Sequence, residues 1–176
     1  DNTGLILDPT VSYTSADPTG TLAFTPLANR SGTASITVTV EDAGLDNDLA
    51  TTGDNATFSR TFDVVVNPVN DAPTLDTLDN LTIDEDAAAQ TVNLAGITAG
   101  ADEVQALKVT AISDNTGLIL DPTVSYTSAN PTGTLSFTPL ADQSGPATIT
   151  VTVEDAGLDN DLATTGDNAT FSRTFD

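Results

Sequence analysis

The first 63 residues of this 176-residue chain return, almost unchanged, as its last 63. Residues 1–63 recur as 114–176 at an offset of 113. The copies differ only at Asp17/Asn130, Ala23/Ser136, Asn29/Asp142, Arg30/Gln143, Thr33/Pro146 and Ser35/Thr148, and residues 64–113 occur once. A unit of this period is a whole domain, because single domains commonly run about 100–150 residues, whereas solenoid repeats span about 20–50. The chain thus holds roughly one and a half units and opens and closes in mid-unit, as expected of a window on a longer array of near-identical domains.

Within the unit the dominant pattern is that of strands. Thr148-Ile149-Thr150-Val151-Thr152-Val153 alternates polar and apolar residues with period two, as a half-buried strand does, and its copy is Ser35–Val40. Thr21–Thr25, ended by Pro26, reads as another strand, as do Ala106–Ile112, Thr82-Ile83 and Thr91–Leu94. Gly117–Leu120 and Val124–Tyr126 are shorter candidates split by Asp121-Pro122. The last strand, Thr57–Val66, places Phe58, Phe62, Val64 and Val66 on one parity facing the core, and Arg60 shares it. Either a bulge shifts the register at Arg60, or the side chain pairs with a carboxylate at the rim; rim pairing is the preferred reading. No run keeps helical spacing for more than a turn or two. These signals predict an all-β fold of tandem Greek-key, seven-stranded β-sandwich domains, cadherin-like or Ig-like.

Composition narrows the chemistry. Four Lys plus Arg against 26 Asp plus Glu give a net charge of −22, which excludes nucleic acid and anionic membrane as partners of this segment. The chain has no Cys and no His, so disulfides, thiolate zinc sites and His-based catalysis lack their residues. Only Glu41, Glu85, Glu103 and Glu154 are Glu; the other acids are Asp, a turn residue and a hard-cation ligand. No segment approaches the ~20 apolar residues of a membrane-spanning helix. The Thr148, Thr150 and Thr152 row is what any solvent-facing strand of this composition shows.

Two prolines in Asn67-Pro68-Val69-Asn70-Asp71-Ala72-Pro73 mark a stiff linker. The expected domains are an incomplete sandwich at 1–69, lacking its opening strands, and a nearly complete one at 70–176, lacking the end of its last strand. Val66–Pro73 resembles the end-of-domain signature of cadherin-like repeats in giant bacterial surface adhesins, of the RTX-adhesin extender type. Ile83-Asp84-Glu85-Asp86, Gly100-Ala101-Asp102-Glu103 and Val153-Glu154-Asp155-Ala156-Gly157 fit that pattern in order. Gly133–Pro139 followed by Asp142-Gln143-Ser144-Gly145 is similar to the bacterial members.

The resemblance implies Ca2+ bound by oxygens at the ends of consecutive domains. Carried over by position, Asn67, Asn70 and Asp71 come from the linker, and Asp102, Glu103 and Asp155 from the near end of the second domain. Glu85 and Asp142 lie at the far end, and Asp42 serves the preceding junction. The Leu-Asp-Arg-Glu motif of cadherins has no match: Leu27–Arg30 and Leu140–Gln143 lack its Glu, and the linker has one acid for two. Fewer or weaker ions per junction than in a full cadherin set are expected. Asp159-Asn160-Asp161 and its copy Asp46-Asn47-Asp48 lack the Gly and closing Glu of an EF-hand loop and read as acidic hairpin tips.

The implied function is a non-enzymatic, calcium-stabilised stalk of an extracellular, cell-surface adhesin, its partners the neighbouring repeats of the same chain. One alternative is a subunit of an extracellular filament or sheath, built from identical chains by strand complementation. Another is an accessory module of a secreted polysaccharide-degrading protein, which the absence of Trp and the presence of only two Tyr disfavour.

Overall fold

A computed structural model describes residues 1–15 and 17–176. The chain divides into two compact units, Asp1–Pro68 and Val69–Asp176.

In the first unit, β1 (Thr10–Ser12) pairs antiparallel with β2 (Thr21–Ala23). The long strands β3 (Gly32–Glu41) and β4 (Thr57–Val66) pair without interruption from Gly32↔Val66 to Glu41↔Thr57. Hydroxyls bond across this ladder, Thr37 to Thr61 at 2.9 Å and Thr39 to Ser59 at 2.7 Å. Leu5, Ile6 and Ala34 form a small buried cluster, covered by Val64 and Val66.

The second unit carries β5 (Gln90–Leu94), β6 (Leu107–Ser113), β7 (Thr123–Ser125), β8 (Gly133–Phe137), β9 (Ile149–Asp155) and β10 (Thr170–Phe175). They form two antiparallel three-stranded sheets, β10-β9-β6 and β5-β8-β7, so the chain crosses between sheets after β5, β6 and β8. Leu94, Leu135, Ile149, Val151, Val153 and Phe175 meet in the core between them. Each such side chain, fully buried, contributes about 1.5–3 kcal/mol. In β9 inward and outward residues alternate strictly: Ile149, Val151, Val153 and Asp155 are all buried. An acid thus occupies the last inward position of a core strand.

The expected all-β sandwich is what the chain forms. Six strands build the second unit where seven were expected. Thr82-Ile83 does not enter a ladder: beside it Leu81 N–H bonds the Asp176 C=O at 2.7 Å and Ala87 N–H the Asp84 C=O at 3.3 Å, although Ile83 still packs on the core. Gly117–Leu120 is reduced to a turn and one bridge, Ile119↔Pro139.

Arg60 needs another correction. The ladder runs straight through Val38↔Arg60, so no bulge exists, and the guanidinium lies over the Phe58 ring at 4.6 Å in place of a carboxylate. Its copy Arg173 stacks on Phe171 at 4.8 Å and donates from Nε to the Leu75 carbonyl at 3.2 Å. A cation over an aromatic face keeps its charge near solvent while its stem covers apolar surface, which is how an inward-parity Arg is accommodated. The expected parity holds for Val64 and Val66, which pack on the small cluster, but not for Phe58 and Phe62, which were expected to face the core. Phe175 is buried and Phe171 half-buried in the second unit, while Phe58 and Phe62 are exposed in the first.

Candidate metal centre

Asp155 is completely buried. Its Oδ1 accepts from the Gly157 N–H at 3.0 Å, the Ala169 N–H at 2.8 Å and the Asn70 Nδ2 at 3.1 Å. Its Oδ2 is buried and has no hydrogen-bond partner. Gly157 shapes the turn that makes this possible. Its φ is 59°, and a Cβ there would lie 2.5 Å from the Asp167 carboxyl carbon.

The segment that covers Asp155 is the start of the unit. Asn70 also donates to the Asp167 carbonyl at 3.0 Å, and its Oδ1 accepts from Gln105 Nε2 at 2.7 Å. Gln105 Nε2 donates in addition to Glu103 Oε2 at 3.1 Å, and the Asp71 N–H points at both Glu103 oxygens at 3.2 Å. Downstream, Pro73 is buried and Thr74 pairs with Thr98 in an isolated bridge, which fixes this entry segment. Gly100, at φ 132°, lets it pass: a Cβ there would sit 2.8 Å from the Asp71 Cβ and 3.0 Å from Glu103 Oε2. One continuous polar chain results, Asp155–Asn70–Gln105–Glu103–Asp71.

The electrostatics of this chain are one-sided. Burial pushes the Glu103 carboxyl above its ordinary value, and the charges of Asp71 and Asp155 push the same way, against the Asp71 N–H. The two basic side chains of the second unit are engaged elsewhere, Lys108 with Glu154 at 3.5 Å and Arg173 with Phe171 and Leu75. Besides Asp155 Oδ2, Gln105 Oε1 is buried without a donor. Hard oxygens in excess of donors suit a hard cation such as calcium, which takes six to eight of them. Among the described residues, no three acidic side chains are gathered closely enough to hold a metal as they stand. The carboxamide oxygens of Asn70 and Gln105 lie beside these acids and can help complete a set.

Residues 70–171 match the family model of the bacterial Ig domain. The chain belongs to the bacterial Ig domain family. The match begins at Asn70, the residue through which the entry segment reaches Asp155. No curated protein matches this bacterial Ig domain chain. The crystal structure of domains 4 and 5 of the S-layer protein SbsC aligns with 89% of the chain at 16% identity and a TM-score of 0.34. The chain spans 62% of that structure.

The remaining expected ligands are placed as follows. In the bacterial Ig domain unit, Asp102 is exposed at a left-handed φ of 59°. Glu85 and Asp142 are exposed, and the Asp142 N–H donates to Asp86 Oδ1 at 3.0 Å, so the 84–86 turn and the Asp142 turn do adjoin. Asn67 lies in the first unit and is exposed. Asp42 is exposed, and N–H groups of Ala56 and Gly44 hold its carboxyl below the usual range. The Asp159–Asp161 tip is self-capped: Asp159 and Asp161 accept from the N–H groups of Asp161 and Ala163, both at 2.9 Å. Gln105 was not foreseen. A lone amide in a loop carries no signal by itself; only its place two residues after Glu103 points to it.

Proposed function

We propose that this chain is a structural module of a bacterial cell-surface protein, a calcium-stabilised stalk repeat of the cadherin-like extender kind that holds a more distal part of its parent away from the cell. The observation that carries the calcium reading is Asp155, fully buried at a strand end with one oxygen unpartnered, beside a desolvated Glu103 and with no basic residue to answer either. Asp71, Glu103 and Asp155, with carboxamide oxygens of Asn70 and Gln105, would hold the ion. Bound there, calcium supplies the positive charge that the burial of these acids lacks, and it ties the entry segment to the β9 end of the domain. The near-identity of the two copies suits a spacer, whose length matters more than any single surface, and binding to neighbouring repeats follows from that role. Family membership supports the bacterial surface setting. The reading assigns no catalysis to a chain without His or Cys.

Thermal unfolding of the whole chain in millimolar calcium and in chelator tests it. A site with a Kd of ~0.1–1 mM adds roughly 1–3 kcal/mol at about 10 mM calcium, and the gain should vanish in Asp155→Asn. An unchanged melting temperature in the unmodified chain would falsify the calcium assignment.

A further inference from the structure

The acids of this cluster are held together by carboxamides, and that arrangement carries a consequence for how the site fills. Asn70 gives its NH2 to Asp155 and to the Asp167 carbonyl; Gln105 gives its NH2 to Asn70 and to Glu103. These are the donors that stand between Asp155 and Glu103 where the second unit offers no Lys or Arg. The same amides carry oxygens, one of which, Gln105 Oε1, is buried with nothing donating to it.

The repeat supplies an internal control. The loop 155–169 has the same sequence as 42–56, and it folds the same way: Asp42 Oδ1 accepts from Gly44 at 3.1 Å and Ala56 at 2.9 Å, as Asp155 Oδ1 does from Gly157 and Ala169. The unpartnered Asn168 Oδ1 has its match in Asn55 Oδ1, so that vacancy belongs to the loop. The unpartnered Asp155 Oδ2 has no such match, since Asp42 is exposed. It lies where residues 70–71 and 103–105 close over the loop.

We infer that Asn70 and Gln105 form a carboxamide latch: without a divalent cation their NH2 groups hold Asp155 and Glu103 together, and on binding the Gln105 amide turns over to present Oε1 to the ion. The inference rests on the calcium reading above. An amide turns about a terminal torsion whose wells are broad and roughly two-fold, and each face serves one state, donors to carboxylates or an acceptor to a cation. The Asn70 half of the latch keeps the entry segment seated in both states, and calcium adds stability by drawing together acids that are not gathered closely enough as they stand.

Side-chain NH2 signals of Asn70 and Gln105, followed by NMR on the full chain during a titration with calcium chloride, test the latch directly. The Gln105 pair should shift with calcium and lose its hydrogen-bonded character. Calcium binding that leaves these signals unmoved overturns the latch and spares the calcium reading; a chain that binds no calcium overturns both. A variant gives the second test. In Gln105→Lys an ammonium replaces the NH2 donor permanently, so the melting temperature in chelator should exceed that of the unmodified chain and respond to calcium no more than to sodium at the same ionic strength. In Gln105→Leu, which keeps neither face, calcium affinity should fall by about 10–100-fold. A Gln105→Leu chain that folds and binds calcium as tightly as the unmodified one also sinks the idea.

Discussion

Asp155 and Asp42 are one residue type in one loop sequence, yet they stand in opposite environments. Replacing Asp155 by Ala strands the Gly157 and Ala169 N–H groups and the Asn70 amide in a buried place, and the expected loss is about 2–4 kcal/mol. Asp42→Ala removes the same two backbone bonds where water can replace them, and a much smaller drop should appear in the same calorimetric scan. Glu103 yields a prediction with a sign. Its folded pKa is raised above the ordinary 4.5 by burial and by the charges of Asp71 and Asp155. Its contribution to stability is therefore full below the ordinary value and is lost as pH rises through the folded one. In chelator at neutral pH, Glu103→Gln should melt higher than the unmodified chain, and the difference should close as pH falls toward about 4. In calcium the order should reverse, because the ion needs the charged form. A Glu103→Gln chain that melts lower than the unmodified one in chelator would show that the carboxylate is not under strain.

At the scale of elements, strand periodicity was legible and pairing was not. Thr57–Val66 could be read to its end residues because one parity is apolar throughout, apart from Arg60. Thr82-Ile83 failed because a strand is a property of two segments: Ile83 packs on the core, but its backbone lacks a partner ladder. The acids of the candidate cluster were named from the order of short motifs, whereas Gln105 was not legible, since it meets Asn70 across 35 residues of sequence. Gly100 belongs to this scale too. A methyl at φ 132°, 2.8 Å from the Asp71 Cβ, must move the entry segment. Gly100→Ala should cost about 1–3 kcal/mol and weaken calcium binding, both read in one calorimetric series. The strands β3 and β9 make the last comparison here. The β9 strand is bonded on both edges, by β10 and β6, whereas among the described residues β3 is bonded by β4 alone. Amide exchange at Val151 and Val153 should be slower than at Val38 and Val40 by on the order of 100-fold, as a gap of about 2.7 kcal/mol in opening free energy implies.

For the whole molecule, a charge of −22 on 176 residues means that any cation stabilises the compact state to some degree, by screening. A melting temperature that rises with calcium is thus ambiguous until screening is separated from binding. Screening depends on ionic strength alone, and its range falls from about 10 Å at 0.1 M to about 3 Å at 1 M. It should raise stability gradually over that range, alike for either salt at one ionic strength, and act on both units, because the acids punctuate the entire chain. Binding at Asp155, Glu103 and Asp71 should saturate near the Kd and act on the second unit, where those residues lie. The comparison is calcium chloride against sodium chloride at matched ionic strength, with thermal unfolding followed separately for each unit through the methyl signals of Val38 and Val151. Calcium should shift the Val151 transition by about 4–8 °C for each kcal/mol gained beyond what sodium does, and leave the Val38 transition where sodium puts it. Equal shifts in both units, in both salts, would reduce the acids to a solubilising coat and leave the buried Asp155 as a cap for its own loop.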